Sequence, residues 1–168
     1  MNRENDKMIK RDRLRFTKNK LSANLTLLAI VFNALYFVSI YQSDVGSYYY
    51  TYVIGISVIY NLLFMLTAFL SAEGVKAYKV GYSYALLAIG IGQIIRIFIL
   101  PTNAVNTSVS LGGDEMAVMQ NSQFVYLCVC LTASAVLCAA AGVINMVKAH
   151  TLAGLQAELD KKARGIVS

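Results

Sequence analysis

Four side chains stand out as groups able to do chemistry inside an otherwise apolar chain: Asn33, Asn61, Gln93 and Arg96. Arg96 is the one charge in the stretch "GIGQIIRIFILP", Gly90 to Pro101. A guanidinium stays protonated and carries donors but no acceptor, so its chemistry is recognition of anions and dipoles, not proton transfer. The three amides each offer both donors and an acceptor. A polar group left in hydrocarbon is costly, so each of these residues needs a partner or an aqueous path.

Other chemistries lack their residues. No Asp or Glu falls within the long apolar runs, which argues against proton or sodium coupling through a buried carboxylate. The single histidine, His150, lies beyond the last run, so neither bis-histidine haem ligation nor a His-rich metal site is open to this chain. No metal and no cofactor is expected. "GIGQII" follows no strand and is no phosphate loop. Cys128 and Cys130 are two apart on a helix and face different directions, so they cannot bond each other; with Cys138 they read as small buried apolar residues. The tripeptide Asn106-Thr107-Ser108 has the glycosylation pattern, which is common by chance. No nucleophile–base pair is present in the spans, and an enzyme is not expected.

The elements that must position the polar groups are membrane spans. The chain has 168 residues, 57% hydrophobic and 14% charged, where soluble domains carry about 25% charged residues. Its mean hydropathy is +0.56. Four apolar runs carry the excess, at about 21–41, 50–71, 80–100 and 123–147. Each approaches the ~20 residues that cross a ~30 Å hydrocarbon core as a helix. Lipid cannot satisfy open backbone groups, so the spans should be helical. The basic region before the first run is too long, and the run itself too long, for a cleaved signal peptide. The expected fold is an all-α integral membrane protein, four transmembrane helices in an up-down bundle. Residues 1–20 form a basic segment, 21–147 the membrane domain, and 148–168 an amphipathic helix.

Charge orients the bundle. Of the 15 Lys and Arg residues, all but Arg96 lie in the first 20 residues, in the second connection (Lys76, Lys79) or in the tail. The first and third connections hold only Asp44, Asp114 and Glu115. The positive-inside rule places both termini and the second connection in the cytoplasm. The basic N-terminal segment is poorly periodic and lacks interleaved aromatics apart from Phe16, so anionic lipid head groups, not nucleic acid, are its expected partner. Tyrosines at 48, 49, 50, 52, 78, 82 and 84 sit where interfacial anchors belong. In the tail, Leu152, Leu155 and Leu159 form a stripe that lipid or protein must cover, on a helix expected to bend after leaving the membrane. "GGDEMAVMQ" is expected to start a short helix, Asp114 and Glu115 lying in its first turn.

Counted from the inner boundaries at ~1.5 Å per residue, Asn33, Asn61, Gln93 and Ser134 fall at one depth, a shared polar layer. In the third run Ala85, Ala88, Gly92 and Arg96 lie on one stripe. Small residues at that spacing let helices approach closely, and Ala135, Ala139 and Gly142 of the fourth run are the natural partner surface. Arg96 can also snorkel outward toward Asp44, Asp114 or Glu115. Two functions compete. The preferred one is a non-enzymatic membrane subunit that assembles as a homo-oligomer or within a larger complex, its amides bonding between helices. The alternative is an oligomeric channel or small transporter for an anion or small polar solute, lined by Arg96 and Gln93.

Overall fold

The structure, a computed structural model, describes residues 2–16, 18–41, 51–106, 108–111, 114–117 and 119–166. Its helices are α1 (Asn2–Phe16), α2 (Lys20–Ile40), α3 (Thr51–Lys76), α4 (Val80–Ile99), the short α5 (Pro101–Val105) and α6 (Asn121–Ile166). Between α5 and α6 lies a two-stranded antiparallel hairpin, β1 (Ser108–Leu111) and β2 (Asp114–Ala117), with Ser108 opposite Ala117 and Leu111 opposite Asp114. Four helices, α2, α3, α4 and α6, are long and apolar enough to cross a membrane.

The bundle is ordered by side-chain size and polarity. Large apolar groups point outward: Leu62, Leu63, Leu66 and Phe69 of α3, and Ile91, Ile95 and Phe98 of α4, are each more than half exposed. Inward lie small and polar residues. One buried cluster gathers Ala23, Ala29, Ala68, Cys138 and Ala141 around Phe64, Val75 and Leu86. The other, near Pro101, gathers Tyr36, Ile40, Leu100, Ala104, Met119, Leu127, Cys130 and Leu131. This is the distribution expected where the solvent is hydrocarbon and helices associate through small residues and interhelical hydrogen bonds.

Contacts between α2 and α6 descend along one helix as they climb the other. Asn19 meets Asn145, Ser22 the Ala141 carbonyl, Ala29 meets Ser134, and Ser39 meets Gln123. The α3–α4 turn is closed by Lys79 N–H to the Gly74 carbonyl and Tyr78 N–H to the Val75 carbonyl, at 3.3 and 3.2 Å. That pairing is the Schellman motif, whose left-handed residue is usually glycine. Here Tyr78 occupies it, at φ 58°.

Two expectations need correction, and the two terminal segments extend the reading. The "GGDEMAVMQ" segment holds no helix: Asp114 and Glu115 lie in β2, where the backbone bonds across to β1. The glycine pair at 112 and 113 suits a tight hairpin turn better than a helix start. The basic N-terminal segment is helical despite its weak apolar periodicity, because Lys, Arg, Glu, Met and Leu all have high helix propensity. The fourth long helix runs on into the tail: α6 is one helix of 46 residues, about 70 Å at 1.5 Å per residue. Its extension carries α1 alongside, with Lys7 Nζ 2.5 Å from Glu158 Oε2. Leu152, Leu155 and Leu159 are half-buried there.

The second correction concerns the small stripe of α4. Its buried face is Ser83, Leu86, Gly90, Gln93 and Arg96. Ala88 is exposed and Ala85 only half-buried, so the close-packing surface is turned away from the expected Ala85–Ala88–Gly92 line. The physical reason is that Gln93 and Arg96 must both face inward, and the arc that satisfies both also draws in Gly90 and leaves Ala88 toward lipid. On the facing helix Ala135 and Gly142 are buried and Ala139 half-buried. A methyl on Gly90 would meet the Ala135 carbonyl oxygen at 3.3 Å, and one on Gly142 the Ser83 carbonyl oxygen at 3.0 Å. Gly92 serves another neighbour: a methyl there would overlap the Tyr60 hydroxyl of α3.

Candidate functional site

Asn33 is the hub of a polar cluster joining three helices. Its side-chain nitrogen donates to Asn61 Oδ1 at 2.7 Å, and its oxygen accepts from Gln93 Nε2 at 3.0 Å and from Arg96 Nη1 at 3.1 Å. Arg96 Nη1 also reaches Asn61 Oδ1 at 3.3 Å, and Nη2 reaches Ser57 Oγ at 3.5 Å. All five residues are buried; Arg96 is 4% exposed. Each position follows from helical spacing. Ser57 and Asn61 are one turn apart on α3, as Gln93 and Arg96 are on α4, so each helix offers two polar groups to α2 on one face.

Two aromatic rings complete the surroundings of the cation. The guanidinium carbon lies 4.4 Å from the centroid of the Tyr36 ring and 5.2 Å from that of Tyr60. Electron-rich faces stabilise a desolvated cation, and Arg suits this role because it is planar and weakly hydrated. Sequence reasoning missed both tyrosines. The signal was there in retrospect: Tyr36 is one turn from Asn33, and Tyr60 adjoins Asn61.

Arg96 points inward to amides and rings. Among the described residues no carboxylate lies within ion-pair distance of it. Of its expected outer partners, Asp44 lies outside the described residues, and Asp114 and Glu115 are described as backbone of β2. Ser134 is not in the cluster; its hydroxyl donates to the Ala29 carbonyl at 3.0 Å, one helical turn from Asn33. Gln93 Oε1 and Arg96 Nε are buried with no hydrogen-bond partner among the described residues. A cleft of about 330 Å³ between α3 and α4, walled by Ile56, Ile95, Ile99 and Leu100, reaches Ser57, Tyr60 and Arg96.

A second polar cluster ties the opposite end. Asn19 Nδ2 donates to Asn145 Oδ1 at 3.1 Å, and Asn145 Nδ2 donates to Ser83 Oγ at 2.8 Å and the Lys79 carbonyl at 3.2 Å. Lys148 Nζ donates to Asn19 Oδ1 at 3.0 Å, and the Asn19 backbone N–H to the Lys76 carbonyl at 3.2 Å. Asn145 thus joins α6 to the start of α2 and to α4. Asn19 escaped notice because it precedes the first apolar run and Ser83 because it lies in the first turn of the third, where polar residues are ordinary.

No family model, curated protein or solved structure matches this chain. Its function has to be argued from the two clusters and the surfaces around them.

Proposed function

We propose that the protein is a non-enzymatic, multi-pass membrane subunit that assembles with copies of itself or within a larger membrane complex. In this reading the four long helices form an up-down bundle with both termini in the cytoplasm, following the distribution of Lys and Arg. One observation carries it. The intramembrane polar groups that a solute path would need are occupied by one another within a single chain: Ser57 and the four residues Asn33, Asn61, Gln93 and Arg96 share five hydrogen bonds and are buried. Such a network fixes the rotation of three helices about their axes, because each amide must face the hub. What remains for function is the outer surface, the basic α1, and the projecting part of α6, all suited to contact with lipid and protein.

The cleft between α3 and α4 favours a second reading, an oligomeric channel or small transporter for an anion, in which its apolar walls open toward Arg96 and the unpaired Gln93 Oε1. Replacing Arg96 with Gln separates the two. For the subunit reading, the Arg96→Gln variant in liposomes shows unchanged anion flux, while its oligomeric mass in mild detergent falls or its assembly becomes heterogeneous. Wild-type flux lost in an intact Arg96→Gln oligomer would establish the transport reading in its place. A strictly monomeric wild-type chain, with no co-purifying partner, would sink both.

A further inference from the structure

Five cations converge on a hollow of about 480 Å³ where α1, the start of α2, the α3–α4 turn and α6 meet. Its lining is Lys10, Arg13, Lys18, Lys20, Leu21, Tyr78 and Lys148. Among the described residues the carboxylates that form ion pairs are engaged elsewhere, Glu158 with Lys7, Asp12 with Arg11 and Glu73 with Lys76, and none of the five cations is in an ion pair. Like charges brought together in this way repel unless an anion sits between them. α2 begins at Lys20, so the positive end of its dipole adds to the field.

The hollow has a built floor. Asn19 is 1% exposed and bridges Asn145 and Lys148, and its N–H binds the Lys76 carbonyl, so Lys20 and Lys148 stand on a hydrogen-bonded base. α1 lies against α6, which brings Lys10 and Arg13 to the other side. Tyr78, which lines the hollow, holds a left-handed backbone conformation, a strained conformation that persists only where its surroundings impose it. Burial raises the pKa of the Tyr78 phenol above its ordinary value.

We propose that this hollow binds the headgroup of a phospholipid that ends in a phosphomonoester. A head with a single negative charge offsets only one of the five cations. A phosphomonoester brings up to two charges and three terminal oxygens, enough acceptors for several ammonium and guanidinium donors at once. A lipid, not a soluble phosphate, is the occupant because the rim leads into the bilayer. Leu21, half-exposed on the wall, is among the first residues of a span, so an acyl chain leaving the hollow runs down α2. Basic pockets at the cytoplasmic ends of spans are suited to such heads. The assignment rests on the spans crossing a bilayer and is independent of whether the chain assembles or transports.

The test uses the full chain in mild detergent, titrated with phosphatidic acid and separately with phosphatidylglycerol, bound lipid being counted by native mass spectrometry. Phosphatidic acid should bind at least fivefold more tightly, since each basic residue near a lipid surface is worth about fivefold in affinity. The double variant Lys10→Gln/Lys20→Gln should weaken phosphatidic acid about 25-fold, while Lys161→Gln, on the far part of α6, leaves it unchanged. Should the first pair disturb the helices by circular dichroism, Arg13→Gln/Lys18→Gln gives the same expectation. Equal binding of the two lipids, or an equal loss with Lys161→Gln, would overturn the site in favour of diffuse charge attraction. Inorganic phosphate displacing the lipid at comparable concentration would overturn the lipid assignment and leave a soluble phosphate ligand.

Discussion

The two ends of this bundle hold positive charge in opposite ways. Near Pro101 a single cation, Arg96, is sealed among three amides, a serine and two tyrosine rings. Near the α3–α4 turn five cations surround a hollow open to the outside. The first arrangement meets the cation from within the chain, neutral groups accepting from both terminal guanidinium nitrogens and leaving only Nε without a partner among the described residues. The second is unsaturated and calls for an anion. The contrast follows from where each charge sits along a span. A charge within hydrocarbon must be satisfied internally because lipid supplies no donors or acceptors, whereas charges at the boundary can be satisfied by head groups and water.

The sharpest way to break this contrast is to remove the hub of the sealed cluster. Asn33→Ala deletes three hydrogen bonds at once and leaves the Gln93 amide and the Arg96 guanidinium without their common acceptor. Interhelical bonds in membranes average ~0.6 kcal/mol each, and stranding a buried cation adds more, so the expected loss is about 3 kcal/mol. Thermal unfolding in detergent, followed by circular dichroism, measures it. A loss under about 1 kcal/mol would mean that water or lipid replaces Asn33 readily, and the two ends would then differ less than their geometry suggests.

A smaller effect should separate packing from polarity on α4. Gly142→Ala places a methyl 3.0 Å from the Ser83 carbonyl oxygen, so backbone on α4 or α6 has to give. Overpacking of this kind costs about 2 kcal/mol. Ala88→Leu, on the exposed face of α4, should change stability by less than about 0.5 kcal/mol. The reverse order would show that Ala88 is buried against a partner subunit, and unequal oligomeric mass of the two variants would expose that.

How much of this was legible in the sequence depends on which physical rule governed each residue. The four long helices follow from apolar runs whose length a bilayer dictates. The polar layer was sought by counting rise per residue, which gives depth along an axis but not rotation about it. Depth alone grouped Ser134 with Asn33, whereas the structure turns Ser134 to the Ala29 carbonyl. Rotation was also what misdirected the small stripe to Ala88, since alanine and glycine recur on several faces of α4 and only the joint burial of Gln93 and Arg96 selects one. The hairpin at Ser108–Ala117 was read as helix from two acids at a helix-like start, although two glycines between short polar segments fit a turn equally well. The basic hollow could not be read at all, because it draws on four separated segments, residues 10–13, 18–21, 78 and 148, that only the fold brings together.

The smallest expected effect lies at the open end and bears on why the hollow is shaped as it is. Tyr78 sits at φ 58° in a Schellman turn whose hydrogen bonds, Lys79 N–H to the Gly74 carbonyl and Tyr78 N–H to the Val75 carbonyl, are those a glycine would make with less strain. A side chain in the left-handed region costs about 1–2 kcal/mol relative to glycine. Set against the half-buried ring that would be lost, Tyr78→Gly should still raise stability by about 1 kcal/mol in the same detergent unfolding assay. If it does, the turn holds a residue that folding alone does not favour, and the phenol is kept for what it does at the hollow; the variant should then bind phosphatidic acid more weakly than the wild type while unfolding at a higher temperature. If Tyr78→Gly instead lowers stability, the ring is part of the floor with Asn19 and Lys148, and the open end is held by packing in the same sense as the sealed one.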